Sequence, residues 1–119
     1  MSPEKARVFI AEDNKESALL MQLTLRDAGH SVVLKASTLG EAERAVDQFR
    51  ALGIQVALLD GNISSATVDG ADGARLAQLI RSQTPEVKTV GIGSGRVEGV
   101  DVNVGKSNYW ELGQVVSDL

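Results

Sequence analysis

The sequence predicts an α/β domain built on a parallel sheet, and three observations carry that prediction. Short apolar runs alternate with amphipathic stretches in the order β-α-β-α-β-α-β, the rhythm of parallel strands joined by crossover helices on both faces. The run Val56-Ala57-Leu58-Leu59 is apolar at every position, as in a strand buried on both sides. That run stops abruptly at Asp60, and an earlier one stops at Glu12-Asp13. Acids therefore fall at the carboxyl ends of strands, the edge where open α/β sheets bind ligands.

Each element follows from local pattern. Arg7 to Ala11 reads as the first buried strand. A helix is expected from about Asn14 to Ala28, with Leu19, Leu20 and Leu23 on its inward stripe and Gly29 as its stop. Ser31 to Ala36 is a short strand. Ser37 or Thr38 can cap the second helix, with Glu41 placed for a capping box. That helix is expected to run to Leu52, burying Leu39, Ala42, Val46 and Phe49, until Gly53 ends it. After the central strand, Gly61 to Gly70 is a long loop rich in Ser, Gly and Asp, a length that suggests function or an insertion. Asp72 is the expected cap of a third helix, Gly73 to Gln83, and Val87 to Gly93 is a fourth strand.

There the rhythm breaks. Only Ser94-Gly95-Arg96-Val97-Glu98-Gly99 precede the next strand, Val100 to Val104, too few and too turn-rich for a crossover helix. In that strand valines alternate with Asp101 and Asn103, so one face is buried and the other wet. Six residues at about 3.3 Å each span roughly 20 Å, which just allows a parallel return. The competitor is a hairpin, which carries Lys106 to the far end of the sheet. A last helix, Asn108 to Leu119, carries Tyr109, Leu112, Val116 and Leu119 on one stripe, with Trp110 off it and open to a partner.

Composition narrows the function. The chain has 119 residues, which suits a single domain over 1–119, with 43% apolar and 24% charged residues. A net charge of −4 disfavours nucleic acid or an anionic membrane as the main partner. With no cysteine, disulfides, thiol chemistry and thiolate metal sites are excluded. His30 is the only histidine, so two-histidine zinc is excluded, and its place after Gly29 reads as an exposed bystander. No apolar run approaches a membrane span, and Met1-Ser2-Pro3-Glu4-Lys5 lacks a signal-peptide core. A cytoplasmic protein is the expectation.

Acids, a hydroxyl and an amine now collect at strand ends: Glu12 and Asp13, Asp60, Ser94 and Lys106. Taken singly, each has an ordinary explanation. Asp13 with Glu16 makes a good helix start, Asp60-Gly61 a turn, Ser94 a loop residue and Lys106 a solvated charge. Taken together, in the segments Val8-Phe9-Ile10-Ala11-Glu12-Asp13-Asn14, Ala57-Leu58-Leu59-Asp60, Asp72-Gly73, Ser94-Gly95 and Gly99-Val100-Asp101 leading to Lys106, the chain resembles the receiver domain of two-component response regulators. The resemblance spans nearly the whole sequence. It implies a flavodoxin-like, doubly wound five-stranded parallel sheet of order 2-1-3-4-5, here without the fourth crossover helix. It also implies that Asp60 accepts a phosphoryl group from a histidine kinase or phosphotransfer protein. Mg²⁺ would be held by Asp13, Asp60 and the backbone carbonyl of Asn62, with Glu12 acting through water. Ser94 and Lys106 would meet the phosphoryl oxygens.

The chain also departs from that family. Asn103 stands where an aromatic switch residue is usual, three before the lysine, and Ser107 follows Lys106 where proline is usual. One alternative reading is a receiver-like interaction module that no longer uses phosphate. An enzyme is not expected, because Asn62, two residues after the candidate nucleophile, cannot transfer a proton as a phosphohydrolase requires.

Overall fold

The computed structural model describes residues 5–60, 71–93 and 97–119, leaving aside the side chains of Ala71, Lys106 and Ser107. The strands are β1 (Arg7–Ala11), β2 (Ser31–Ala36), β3 (Val56–Asp60), β4 (Lys88–Gly93) and β5 (Val102–Gly105). They form one sheet of order β2-β1-β3-β4-β5, and every neighbouring pair is parallel. This is the flavodoxin-like arrangement the sequence implies. The helices are α1 (Lys15–Asp27), α2 (Leu39–Val46), α3 (Phe49–Leu52), α4 (Ala71–Gln83) and α5 (Leu112–Ser117), the last preceded by a 3-10 turn, Lys106–Glu111.

The continuous apolar runs become the centre of the sheet because both their faces are covered. All five residues of β3 are buried. On one side Val8, Ile10, Leu58 and Ile92 meet Met21 and Leu25 of α1 and Leu112 and Val116 of α5. On the other, Phe9, Ala57 and Leu59 meet α2, α3 and α4. Two such layers are what a doubly wound sheet needs to shield its backbone.

The expected cap of the second helix forms: Thr38 Oγ1 accepts from the Glu41 amide at 3.1 Å, and Glu41 Oε1 accepts from the Ser37 amide at 3.1 Å. The helix itself is not continuous to Leu52. Amides of Asp47 and Gln48 bond back only three residues, to Arg44 and Ala45, which tightens the backbone and divides it into α2 and α3. Phe49 then packs on Phe9, ring centroids 5.0 Å apart. Gly53 ends α3 at φ 67°, as expected of a left-handed stop. Asp72 is not a cap. It lies inside the first turn of α4 and is buried.

α1 is rotated from its expected orientation. Leu19, Leu20 and Leu23 are 54%, 52% and 43% exposed, whereas Met21 and Leu25 are buried. The helix carries two opposed apolar stripes, Leu19-Leu20-Leu23 on one side and Met21-Leu25-Ala28 on the other, so spacing alone left two faces open. Close packing on α5 selects between them: a Cβ on Gly113 would lie 2.5 Å from that of Ala28, so the helices approach through their smallest residues. His30 is likewise not a bystander but 3% exposed. Its Nδ1 accepts from the Ala6 amide at 2.9 Å, and its Nε2 lies 3.1 Å from the Gly113 carbonyl and 3.0 Å from Ser117 Oγ. An acceptor at Nδ1 fixes the proton of the neutral ring on Nε2, so one side chain joins the start of β1 to α5.

The return from β4 to β5 is parallel, with Val90 opposite Val102 and Gly93 opposite Gly105, and the hairpin is excluded. Among its described residues, Val97 to Asp101, the link contains no helix. It lies directly on the sheet. Val97 is buried, and Gly91 beneath it has room for nothing more: a Cβ there would stand 2.7 Å from Val97 Cβ. Two polar clasps hold the strap. Asn103 Oδ1 accepts from the Val97 amide at 2.8 Å, and its Nδ2 donates to the Val97 carbonyl at 3.3 Å. Asp101 Oδ2 accepts from the Thr89 amide at 2.8 Å, while the Asp101 amide donates to the Thr89 carbonyl at 3.1 Å. The ladder of β5 proper begins only at Val102, later than the valine pattern indicates. The final helix is also shorter than expected, because Asn108 leaves helical geometry at φ −112°, ψ 34°.

Candidate acidic site at the carboxyl edge of the sheet

The register of β1 on β3 places Ala11 opposite Leu59, so the next residues, Glu12 and Asp60, emerge side by side at the carboxyl edge. Both are buried, each 2% exposed, while Asp13 is exposed at the rim. Strand order reverses between β1 and β3, since the chain leaves β1 for β2 on one side and returns to β3 on the other. A crevice at such a switch point is where sheets of this kind bind ligands. Asn14 caps α1, its side chain accepting from the Ser17 amide at 2.9 Å. The capping duty given to Asp13 in the ordinary explanation thus falls to its neighbour, and the Asp13 carboxylate is left for the site.

Glu12, Asp13 and Asp60 each offer a carboxylate oxygen, and these oxygens lie within 4.8 Å of one another. The donor set is all oxygen, which suits a hard divalent cation. Around an octahedral ion with ligands at about 2.1 Å, neighbouring oxygens stand about 3 Å apart and opposite ones about 4 Å. Oxygens within 4.8 Å of one another are close enough to serve one such ion.

Lys106 follows Gly105, the residue paired with Gly93, and Ile92 is paired with Asp60. The backbone of Lys106 therefore leaves the sheet at the same edge as Asp60, two strands away, about 10 Å at the usual strand spacing. Asn62 and Ser94 lie outside the described residues, as does the loop Gly61 to Gly70.

Beside the acid cluster an open cleft of about 420 Å³ runs between α1 and β2, lined in part by Glu12, Lys15, Leu19, Lys35, Ser37 and Glu41. Glu12 faces both. No sequence pattern points to this cleft, whose lining comes from separate elements, α1 and β2. Nor did it show that Asn103 and Asp101 act as clasps; the one signal was their polarity on a strand with no helix above it.

No family model and no curated protein sequence matches the chain. Solved structures do. The signal receiver domain assigned as the response regulator NarL from Mycobacterium tuberculosis superposes with a TM-score of 0.76 at 24% identity, covering 98% of this chain and 96% of that one. A two-component response regulator of the LuxR family from Aurantimonas sp. SI85-9A1 gives 0.73 at 22%, over 96% of this chain and 84% of that one. The isolated REC domain of RcsB from Salmonella enterica serovar Typhimurium gives 0.72 at 15%, over 92% and 83%. The chain has the receiver fold of response regulators. Among the described residues no helix is long and apolar enough to cross a membrane.

Proposed function

We propose that this chain is a phosphoacceptor receiver domain modified on Asp60. The observation that carries the proposal is the meeting of three carboxylates from the ends of two adjacent strands, with oxygens within 4.8 Å, on a fold whose β5 returns parallel and brings Lys106 to the same edge. Independent helix caps and turns have no reason to converge in this way.

In the proposed reaction a carboxylate oxygen of Asp60 attacks the phosphorus of a phosphohistidine on a histidine kinase or phosphotransfer protein. The P–O bond of an acyl phosphate forms, the N–P bond breaks, and the imidazole departs with the bonding electrons and takes up a proton. Asp13, Asp60 and the Asn62 carbonyl would hold Mg²⁺, with Glu12 acting through water, and the ion would supply positive charge against the repulsion between a carboxylate and an incoming phosphoryl group. Lys106 neutralises a second phosphoryl oxygen as a mobile cation, and the Ser94 hydroxyl donates to a third. The protein's contribution is position and charge. The chain acts as acceptor and switch, with no turnover of its own, and such donors would place it in the cytoplasm.

The departure at Asn103 favours one competing reading, a receiver-fold module that binds its partner constitutively. Asn103 is committed to Val97 on both sides of its amide, so no swinging ring relays the state of the site. Calorimetric titration with Mg²⁺ and beryllofluoride separates the two. Saturable binding that disappears in Asp60→Ala supports the phosphoacceptor; no binding by the wild type favours the constitutive module.

A further inference from the structure

The outer face of α1 presents Leu19, Leu20 and Leu23, about half exposed, and beside its last turn stands Trp110, 71% exposed. These are the large apolar side chains exposed among the described residues. Charges flank the leucines in a regular way. Lys15, Leu19 and Arg26 follow one another at four- and seven-residue spacing along the edge toward β2, where Lys15 and Leu19 border the cleft with Lys35. Glu16, Leu20 and Asp27 repeat that spacing along the edge toward α5, where Asp27 shares a groove with Trp110, Gly113 and Gln114. Leu23 runs down the middle. One edge is thus basic and the other acidic, each with a leucine at the same height.

From this pattern we infer that the outer face of α1 is a self-association surface for a second copy of this chain, the two α1 helices lying parallel about a two-fold axis between them. A two-fold along parallel helices sets the basic edge of each against the acidic edge of the other. Lys15 meets the partner copy's Glu16, Arg26 meets its Asp27, Leu19 meets its Leu20, and Leu23 meets its own equivalent. Trp110, beside Asp27, is brought to the partner copy's Arg26, a pairing that suits a guanidinium on an indole face. The antiparallel arrangement is disfavoured, since it sets each edge against itself, Lys15 on Arg26 and Glu16 on Asp27. The face of a 13-residue helix falls well short of the about 800 Å² per partner that stable interfaces bury. Association is therefore weak and concentration-dependent, and salt weakens it further.

Sedimentation equilibrium of the full chain at low ionic strength, from about 10 μM to about 1 mM, tests the inference. The wild type should rise from monomer toward dimer mass over that range. Arg26→Asp and Asp27→Arg should each weaken association by about tenfold or more, because two ion pairs become two repulsions. An equimolar mixture of those two variants should recover it, since only a heterodimer restores both pairs. Leu23→Glu should stay monomeric while remaining folded by circular dichroism, as it alters a position 43% exposed. A wild type that is monomeric at every concentration overturns the inference, and leaves the face to another occupant such as the phosphodonor. So does a mixture that associates no better than either variant, or charge variants that dimerise as the wild type does.

Discussion

Replacing Gly91 by alanine tests whether the strap between β4 and β5 is held by contact with the sheet. The new Cβ would stand 2.7 Å from Val97 Cβ, 2.9 Å from Val97 Cγ2 and 2.8 Å from Asn103 Oδ1. None of these neighbours is the loose end of a long side chain. Val97 is buried, and Asn103 holds the Val97 amide and carbonyl. Either the strap stays and the contact is strained, at about 1–3 kcal/mol for an overpacked site, or it lifts and loses two hydrogen bonds worth about 0.5–1.5 kcal/mol each. Lifting also uncovers Val97. The expected loss is about 2–4 kcal/mol, or a melting temperature lower by roughly 8–16 °C for a domain of this size. Urea denaturation followed by circular dichroism measures it. Gly40→Ala is the control of opposite sign: it lies within α2, its nearest neighbour would be Arg44 Nη1 at 3.5 Å, and alanine there should stabilise by about 0.5–1 kcal/mol. If Gly91→Ala costs less than about 0.5 kcal/mol, the strap is not packed on the sheet as described.

His30→Ala should destabilise by about 2–4 kcal/mol, because it leaves the buried Ala6 amide without its acceptor and empties the space between β1 and α5; chemical denaturation reads this, and a surface-like loss below 0.5 kcal/mol would contradict the buried bridge. Hydrogen bonds from Ser37, foremost from its hydroxyl, hold the Glu41 carboxyl below its ordinary value of 4.5. A carboxyl lowered on folding stabilises above its unfolded value and loses that contribution as pH falls through the folded one. The acid limb of a stability–pH curve below about 4.5 should therefore be shallower in Glu41→Gln, and an unchanged limb would show that the capping box does not form in solution. Glu86, lowered by a hydrogen bond from its own backbone amide and then by Arg50, acts in the same window, so Glu86→Gln should flatten the limb further and additively.

Much of this architecture is legible in the sequence because it depends on near neighbours. Val56 to Leu59 announces a fully buried strand without reference to any other part of the chain. Thr38 and Glu41 make their cap within one turn. The parallel return of β5 is a question of reach: the six residues counted in the sequence just allow it, and the eight between Gly93 and Val102 allow it with room to spare. What stays hidden depends on distant partners. His30 is buried by residues 83 and 87 positions away, and nothing next to it in sequence says so. The rotation of α1 is decided by Gly113 against Ala28, a contact between helices at opposite ends of the chain. The role of Asn103 follows from the irregular strap: its described residues form no helix, and a polar side chain on the strand takes over their hydrogen bonds at Val97. The acid cluster lies between these cases. Its members are visible as acids at strand ends, but only the register of β1 on β3 makes them neighbours.

The most direct measurement of the central claim is labelling by a small-molecule phosphodonor in the presence of Mg²⁺, with the modified residue mapped by mass spectrometry, for the wild type beside Asp60→Ala. A single alkali-labile phosphoryl group is expected on Asp60, vanishing on chelation of the metal and absent from the variant. A wild type that takes up no label, or one in which Asp60→Ala is labelled equally, would contradict it.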